Sequence, residues 1–562
     1  HERLAVELES SGRADLETLA VHFDAAAQPD KAGDYYERAA VEATETLAFE
    51  RAAALFRRAL DLRLGTPRAH ALRCKLADAL ANAGRSHAAA QEYLRACESA
   101  PPEQLQELRR KLAFQLLISG RVDEGLAAYR EVLAHVGLRM PQSPGEALSQ
   151  LLVSRAILGV RGLRFRERDA ATIPTHVLDR VDIARSVALG MTVVDWIRGS
   201  SFQSRSLLLA LRAGEPQRVA LSLGWEVVPS ACQGKPAEKR TKRLIEAART
   251  LSERLGDPHA IGMSMLAHGA AEFLSARFRA GLVVCDQATE ILRERCPHAV
   301  WELDTSQIFS AWSLVYAGDI AELRARCPRL AKAGRDRGDR YLETTVNMFP
   351  RVVALLADDE PLQARENMLE SIAAWSQQGF HIQHLTYFYG DLLIDTHLGD
   401  FEAAWRRVQN TWPDLEKSLL LKIQHVYVDV LQFSARAALA AAVDAADPAP
   451  LLAYAANMAR RLDRERLRTS RAHAGLVRAG IAAVAGDREL AARRLRPAVE
   501  TYDDLGMELF ANPARRVLSR LVGGEEGRAL LDQSDLWMRR HAVRDPERLT
   551  RCWALRLPDQ PR

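Results

Sequence analysis

The sequence predicts an all-α fold, a right-handed superhelical solenoid of paired helices, and three observations carry that prediction. A turn signal recurs at a spacing of about 40 residues, the register of stacked helical hairpins. The composition is 48% hydrophobic but only 6% aromatic, and alanine, leucine and arginine dominate it, all good helix formers. Between the turns, apolar residues recur three and four positions apart, so each helix carries one stripe that must be buried.

The turn reads as glycine or another small residue, often followed by an acidic residue or arginine, and then a helix. Five positions after it stands a small or apolar residue. Gly84-Arg85 with Ala89, Gly120-Arg121 with Gly125, and Gly214-Glu215 with Val219 are copies. Gly318-Asp319 with Leu323, Gly399-Asp400 with Ala404 and Gly486-Asp487 with Ala491 continue the series. Ala276-Arg277 with Gly281, Asp358-Asp359 with Gln363, and Asp447-Pro448 with Leu452 are degenerate copies.

Each unit resolves into two helices. Residues 68–81 place Leu72, Leu76 and Leu80 on one face, Gly84 turns the chain, and 86–96 returns with Ala89, Tyr93 and Leu94 facing back. Leu112, Phe114, Leu116 and Leu117 repeat the pattern before Gly120, and Leu126, Tyr129 and Leu133 after it. A second set, Gly137, Gly256, Gly338, Gly379 and Gly506, reads as the connections between hairpins, because glycine accepts the left-handed conformation that ends a helix. A small residue at the fifth position lets paired helices approach closely. This is the logic of tetratricopeptide-like repeats, although a thirty-four-residue consensus does not fit.

The rhythm divides the chain into N-terminal helical repeats over 1–139, an irregular arginine-rich connector with one helix over 140–172, a helical repeat solenoid over 173–520, and a C-terminal tail over 521–562. The connector helix is expected over 146–158. The arginine-rich stretch 161–169 reads either as a docking knob or as an extended segment packed on its neighbours. The tail ends in Pro558 and Pro561.

A net charge of +4 over 562 residues gives no electrostatic reason to expect nucleic acid or membrane as a partner. The seven cysteines form no C-x-x-C pair, so they read as reduced core thiols of a cytoplasmic protein rather than a zinc site or disulfide framework. The chain opens on His1-Glu2-Arg3-Leu4 with helical patterning from the first residues, and we expect it to be part of something longer.

Catalytic signatures are missing. There is no G-x-x-x-x-G-K-[ST] loop, no kinase set of glycine-rich loop, H-R-D and D-F-G, no G-x-S-x-G and no H-E-x-x-H. The expectation is no enzyme activity and no cofactor or metal. His381 and His384 stand one turn apart without a third ligand nearby in sequence. The basic segment 235–243 reads as a solvated helix start or as an attractor of phosphate or an acidic partner. The arginines from Arg460 to Arg471, interleaved with Asp463 and Glu465, read as surface ion pairs. Trp196, Trp225, Trp301, Trp312, Trp375 and Trp405 fall on or near apolar stripes and read as packing. The most unusual polar cluster is Asp182, Arg185, Asp195, Arg198, Gln203 and Arg205, set beside Val193-Val194 and the leucines 207–209. It is either a set of half-buried structural ion pairs or a pocket for an anionic group.

Several stretches also carry a family resemblance. They are Leu19-Ala20-Val21-His22-Phe23, the run 32–40, and Leu47-Ala48-Phe49-Glu50-Arg51 near the start. Arg161–Asp169, Val194-Asp195-Trp196-Ile197-Arg198-Gly199, Phe202-Gln203-Ser204-Arg205 and the run 210–216 follow in the middle, and Trp537-Met538-Arg539-Arg540 with the run 544–549 at the end. Together they resemble the C-terminal tetratricopeptide-like repeat region of large bacterial serine/threonine protein kinase–ATPase fusion proteins. The family's kinase and nucleotide-binding motifs have no match here, so no catalytic residue is carried over. What the resemblance implies is a role: a sensor arm beside a signalling kinase and a nucleotide-dependent switch.

Two functions follow as the main expectations, with an enzyme kept only as a remote third reading. One is a non-catalytic scaffold that binds a protein partner, or the upstream ATPase or kinase domains of its own polypeptide, with the first hairpins (residues 19–62) as the docking surface. The other is a small-molecule receptor for an anionic ligand at the 182–205 cluster.

Overall fold

The computed structural model describes the chain from His1 to Pro558, with Val193 described by its backbone alone. Pro561 of the expected tail lies outside the described residues. The described residues form helices and turns with no strand, and the chain is an all-α solenoid of helical hairpins.

The hairpin Ala69–Asn82 with Ser86–Glu98 shows how the sequence builds the unit. Leu72, Leu76 and Leu80 are buried on the first helix, and Ala89 and Tyr93 on the second. Gly84 sits at φ +73°, and the Arg85 amide donates 2.8 Å back to the Leu80 carbonyl, closing the helix end. Leu94 departs from the expectation: it is 54% exposed. A helix turns about 100° per residue, so the neighbour of Tyr93 rotates off the buried stripe.

Most of the remaining turns obey the same geometry, and not only where glycine marks them; the expected copy at Asp447-Pro448 does not, since no residue there is left-handed and Leu452 is half-buried. Ala276 and Asp359 hold φ of +56° and +55°. Because Asp359 rather than Asp358 is the turn residue there, the fifth position is the fully buried Ala364, and Gln363 is exposed. Two further turns, at Ala27 (φ +57°) and Leu47 (φ +62°), carry no glycine signal, yet Ala32 and Ala52 stand buried five positions on. At Gly281 the reason for a small residue is direct: a Cβ would lie 3.1 Å from the Gly269 carbonyl of the preceding helix.

The chain folds as two compact units. The first comprises residues 1–140 with 294–301 and 334–341. From Leu16–Ala25 to Val122–His135 each of its helices packs on the next, around Phe23, Tyr36, Phe56, Leu76 and Tyr93. The second comprises 141–293, 302–333 and the chain from Leu342 onward. It opens with the helix Pro144–Arg161, which buries Ala147, Leu151 and Leu158 against Trp196–Ala213. The arginine-rich stretch that follows lies along the repeats. Arg161 donates to the carbonyls of Gly162, Arg164 and Leu211, and the Arg168 amide donates 2.9 Å to the Gly214 carbonyl.

An aromatic or histidine ring from nearly every hairpin meets at the centre of the second unit: Phe273, Tyr316, Phe349, Tyr389, Phe433, His473, Phe510 and Trp553. Their spacing is roughly 33 to 44 residues, the hairpin period itself. Tyr389 stacks on Phe433 with centroids 4.8 Å apart, Phe349 lies 5.8 Å from Tyr389, and Trp553 meets Phe510 at 5.0 Å and Phe433 at 6.1 Å. Residues after Gly523 supply the last of these rings. They form helices Gly524–Arg540 and Pro546–Trp553, and the second packs on Pro350–Ala357, Ile382–Leu398 and Glu508–Val522.

Candidate functional site

The polar cluster foreseen in sequence divides into separate networks. Asp182 accepts from Arg218, with Nη2 at 2.6 Å, and Arg218 is also held by Glu215. Asp195 caps the helix Trp196–Ala213 through the Arg198 amide and pairs with the Arg198 guanidinium at 2.6 Å. That same guanidinium donates to the carbonyls of Pro141 at 2.9 Å and Gln142 at 3.0 Å, so it ties the connector down. Gln203 is fully buried and its amide donates 2.7 Å to the Ser222 carbonyl. Arg185 acts on Glu302: burial pushes the Glu302 carboxyl up, but His259, 3.0 Å away, and Arg185 outweigh it and hold it below its usual value. Burial and then the nearby Arg180 lower the guanidinium of Arg205. Asp182, Asp195, Arg198 and Gln203 thus each have a structural partner close at hand.

Two basic segments that sequence reading kept apart are brought together instead. The loop between Pro216–Ala231 and Glu238–Leu255 carries Lys235, and the loop after Ala449–Arg464 carries Arg466 and Arg468. Both line one cleft of about 250 Å³, with Lys242, Arg277, His268, Glu238, Glu272 and Gln424. The loops are fixed from below. Gly234, at φ +68°, lies so close to Gln424 that a Cβ would fall 1.6 Å from its Oε1, and the Gln424 amide donates 2.9 Å to the Cys232 carbonyl. Leu467 is buried and anchors the second loop, leaving Arg466 and Arg468 exposed on either side.

The cleft's acids are already occupied. Lys235 at 2.6 Å and Lys242 at 2.9 Å hold Glu238, and those bonds bring its carboxyl down to about 2. Burial pushes Glu272 up, but Arg277 and His268 outweigh it and bring it to about 2 as well. Arg466 and Arg468 make no ion pair or hydrogen bond with any described residue. Sequence reading could not find this site, because its two halves are more than two hundred residues apart.

A third polar group sits inside the aromatic centre. Asp429 accepts from the Tyr316 hydroxyl, and burial pushes its carboxyl up to about 7 although Tyr316 and Arg436 pull it down. His425 Nε2 lies 3.3 Å from Asp429 Oδ2 but out of hydrogen-bonding alignment, and burial alone lowers this imidazole to about 3. The space beside them, about 50 Å³, is lined mainly by Phe273, Trp312, Phe349 and Tyr389. A gap of that size is suited to a water rather than to a substrate.

The other sequence candidates have structural partners. His381 Nδ1 accepts from Trp375 at 3.0 Å, and His384 accepts from the His381 amide, which makes the pair a helix cap. Among the described residues no group of three or more His, Cys, Asp or Glu could hold a metal ion. Trp225, Trp301 and Trp375 are buried, and Trp196, Trp312 and Trp405 half-buried. Asp463 pairs with Arg478, and Arg461 lies 5.4 Å over the Trp412 ring. The seven cysteines are free thiols, five of them buried. No described helix is long and apolar enough to cross a membrane.

No protein-family model matches the chain, and no curated protein matches it in sequence. Among solved structures, a chain of the crystal structure of the APC/C hetero-tetramer Cut9–Hcn1 is similar over 89% of this chain and 96% of its own length, at 12% identity and a TM-score of 0.35. The all-α hairpin fold rests on the helices of this chain themselves.

Proposed function

We propose that this chain is a non-catalytic helical-repeat scaffold that mediates protein–protein interaction and acts as the sensor arm of a kinase–ATPase signalling protein. The observation that carries the interaction reading is the outer face of the helix Pro144–Arg161. That helix buries one stripe on its neighbours and leaves a second apolar stripe, Val153, Ile157 and Val160 with Leu152, in solvent; Val160 is 93% exposed. A helix apolar on two sides is built to be covered twice, and such patches mark protein contacts. The kinase–ATPase assignment rests on the sequence resemblance, and the first hairpins, with exposed Val21, Val41 and Leu47, are the surface we assign to the upstream module. The 182–205 cluster is in this reading structural.

The test is co-purification of the full chain with the kinase–ATPase module. V153E/V160E and V21E/V41E are compared with the unaltered chain, with helicity checked by circular dichroism. Loss of association in either folded variant supports the reading. Undiminished association in both, or none with the unaltered chain, overturns it.

A further inference from the structure

We infer that the cleft between the 232–237 and 465–469 loops binds a small molecule carrying a phosphate group. Five cationic side chains, Lys235, Lys242, Arg277, Arg466 and Arg468, line it against two carboxylates. Both carboxylates stay ionised throughout the neutral range and are saturated by cations within the cleft. They therefore hold Lys235, Lys242 and Arg277 in position while Arg466 and Arg468 keep their donors for something else. Arginine's planar fork suits two oxygens of a phosphate at once, whereas a lysine ammonium meets them as a point charge.

Size and lining narrow the ligand. A space of about 250 Å³ is below the range of roughly 300–1,000 Å³ typical of drug-sized ligands, which fits a sugar-phosphate-sized molecule better than a nucleotide. Ala231, Ile245, Ala271 and Leu467 give the cleft apolar walls, while Thr241, Ser275 and Gln424 are neutral polar groups on its lining. The buried Gln424 Oε1 has no hydrogen-bond partner, and its Nε2 is held by Glu465 at 2.9 Å, in the loop that presents the two arginines. Acidic groups on a protein partner would share the charge but not the size.

Isothermal titration of the full chain at fixed ionic strength tests this, with inorganic phosphate, glucose 1-phosphate, glucose and hexaglutamate as probes. The expected result is binding of a phosphate species and none of glucose. R466E/R468E then weakens it roughly tenfold or more, whereas R460E/R464E, the same charge change on the adjacent helix, leaves it unaltered. The ratio of the two phosphate affinities tells whether the free ion or the ester is taken. Both double variants alter exposed residues, and circular dichroism confirms their fold. No phosphate binding, equal binding by R466E/R468E, equal loss in R460E/R464E, or a preference for hexaglutamate each overturns the inference.

Discussion

The Tyr316 hydroxyl donates a hydrogen bond to the Asp429 carboxylate across 113 residues of sequence, inside a wall of aromatic rings. The pair joins the helix Val300–Ala317 to Gln424–Ala442 at the centre of the second unit. Burial raises the Asp429 carboxyl to about 7 from an ordinary value of 3.8. The folded chain thus keeps a proton that the unfolded chain has lost between about pH 4 and 7. The stability this proton contributes is complete below pH 4 and disappears as pH rises through 7.

Asp429→Asn should therefore stabilise the protein at pH 8, because the amide still accepts from Tyr316 but carries no buried charge. The gain should be on the order of a few kcal/mol at pH 8 and fade toward pH 4. His425 and His473, both lowered to about 3 by burial, act in the opposite sense: the unfolded state binds their protons first, so stability falls as pH drops below 6.5. Urea denaturation from pH 4 to 8 on both proteins checks this. A parallel offset at every pH would mean that Asp429 does not titrate in that window.

Gly214 and Gly486 share one backbone conformation, at φ +84° and +83°, but not one environment. A Cβ on Gly486 meets nothing within 4 Å, whereas on Gly214 it would fall 2.3 Å from the Arg166 carbonyl. Gly486→Ala should cost about 1 kcal/mol, the left-handed penalty alone. Gly214→Ala should cost about 1–3 kcal/mol more and loosen the connector. Denaturation midpoints measure the first difference, and limited proteolysis between residues 162 and 174 the second.

Asp195→Ala should cost about 1–2 kcal/mol, since it removes a helix cap and half of the Arg198 pair. Arg198 would keep its bonds to the carbonyls of Pro141 and Gln142. Phosphate titration should be unaffected by this change. Unaltered stability with a loss of phosphate affinity would instead return the 182–205 cluster to the role of a ligand pocket.

The hairpins were legible in the sequence because each is a local device. Gly84, Gly399 and Gly486 end a helix within a few residues of the apolar stripe they serve, and a three-to-four periodicity needs no distant partner. The turns at Ala27 and Leu47 were not legible. Their left-handed backbone is imposed by helices packed on either side rather than encoded by glycine. Recurrence of a ring from Phe273 to Trp553 at the hairpin period was present in the sequence as well, but a stripe of large apolar residues reads the same whether it faces a neighbouring repeat or a shared centre.

By itself, then, the sequence determined the helices, their pairing and their order, since these depend on contacts between near neighbours along the chain. Only the tertiary structure decided which polar residues meet. It set Asp182, Asp195 and Gln203 in separate networks, because successive helices rotate their side chains onto different faces. It joined Lys235 to Arg466 and Tyr316 to Asp429, because helices of different repeats pack side by side within the second unit. No periodicity records a meeting between residues separated by several turns of the repeat, and each of these depends on how helices of different repeats pack together.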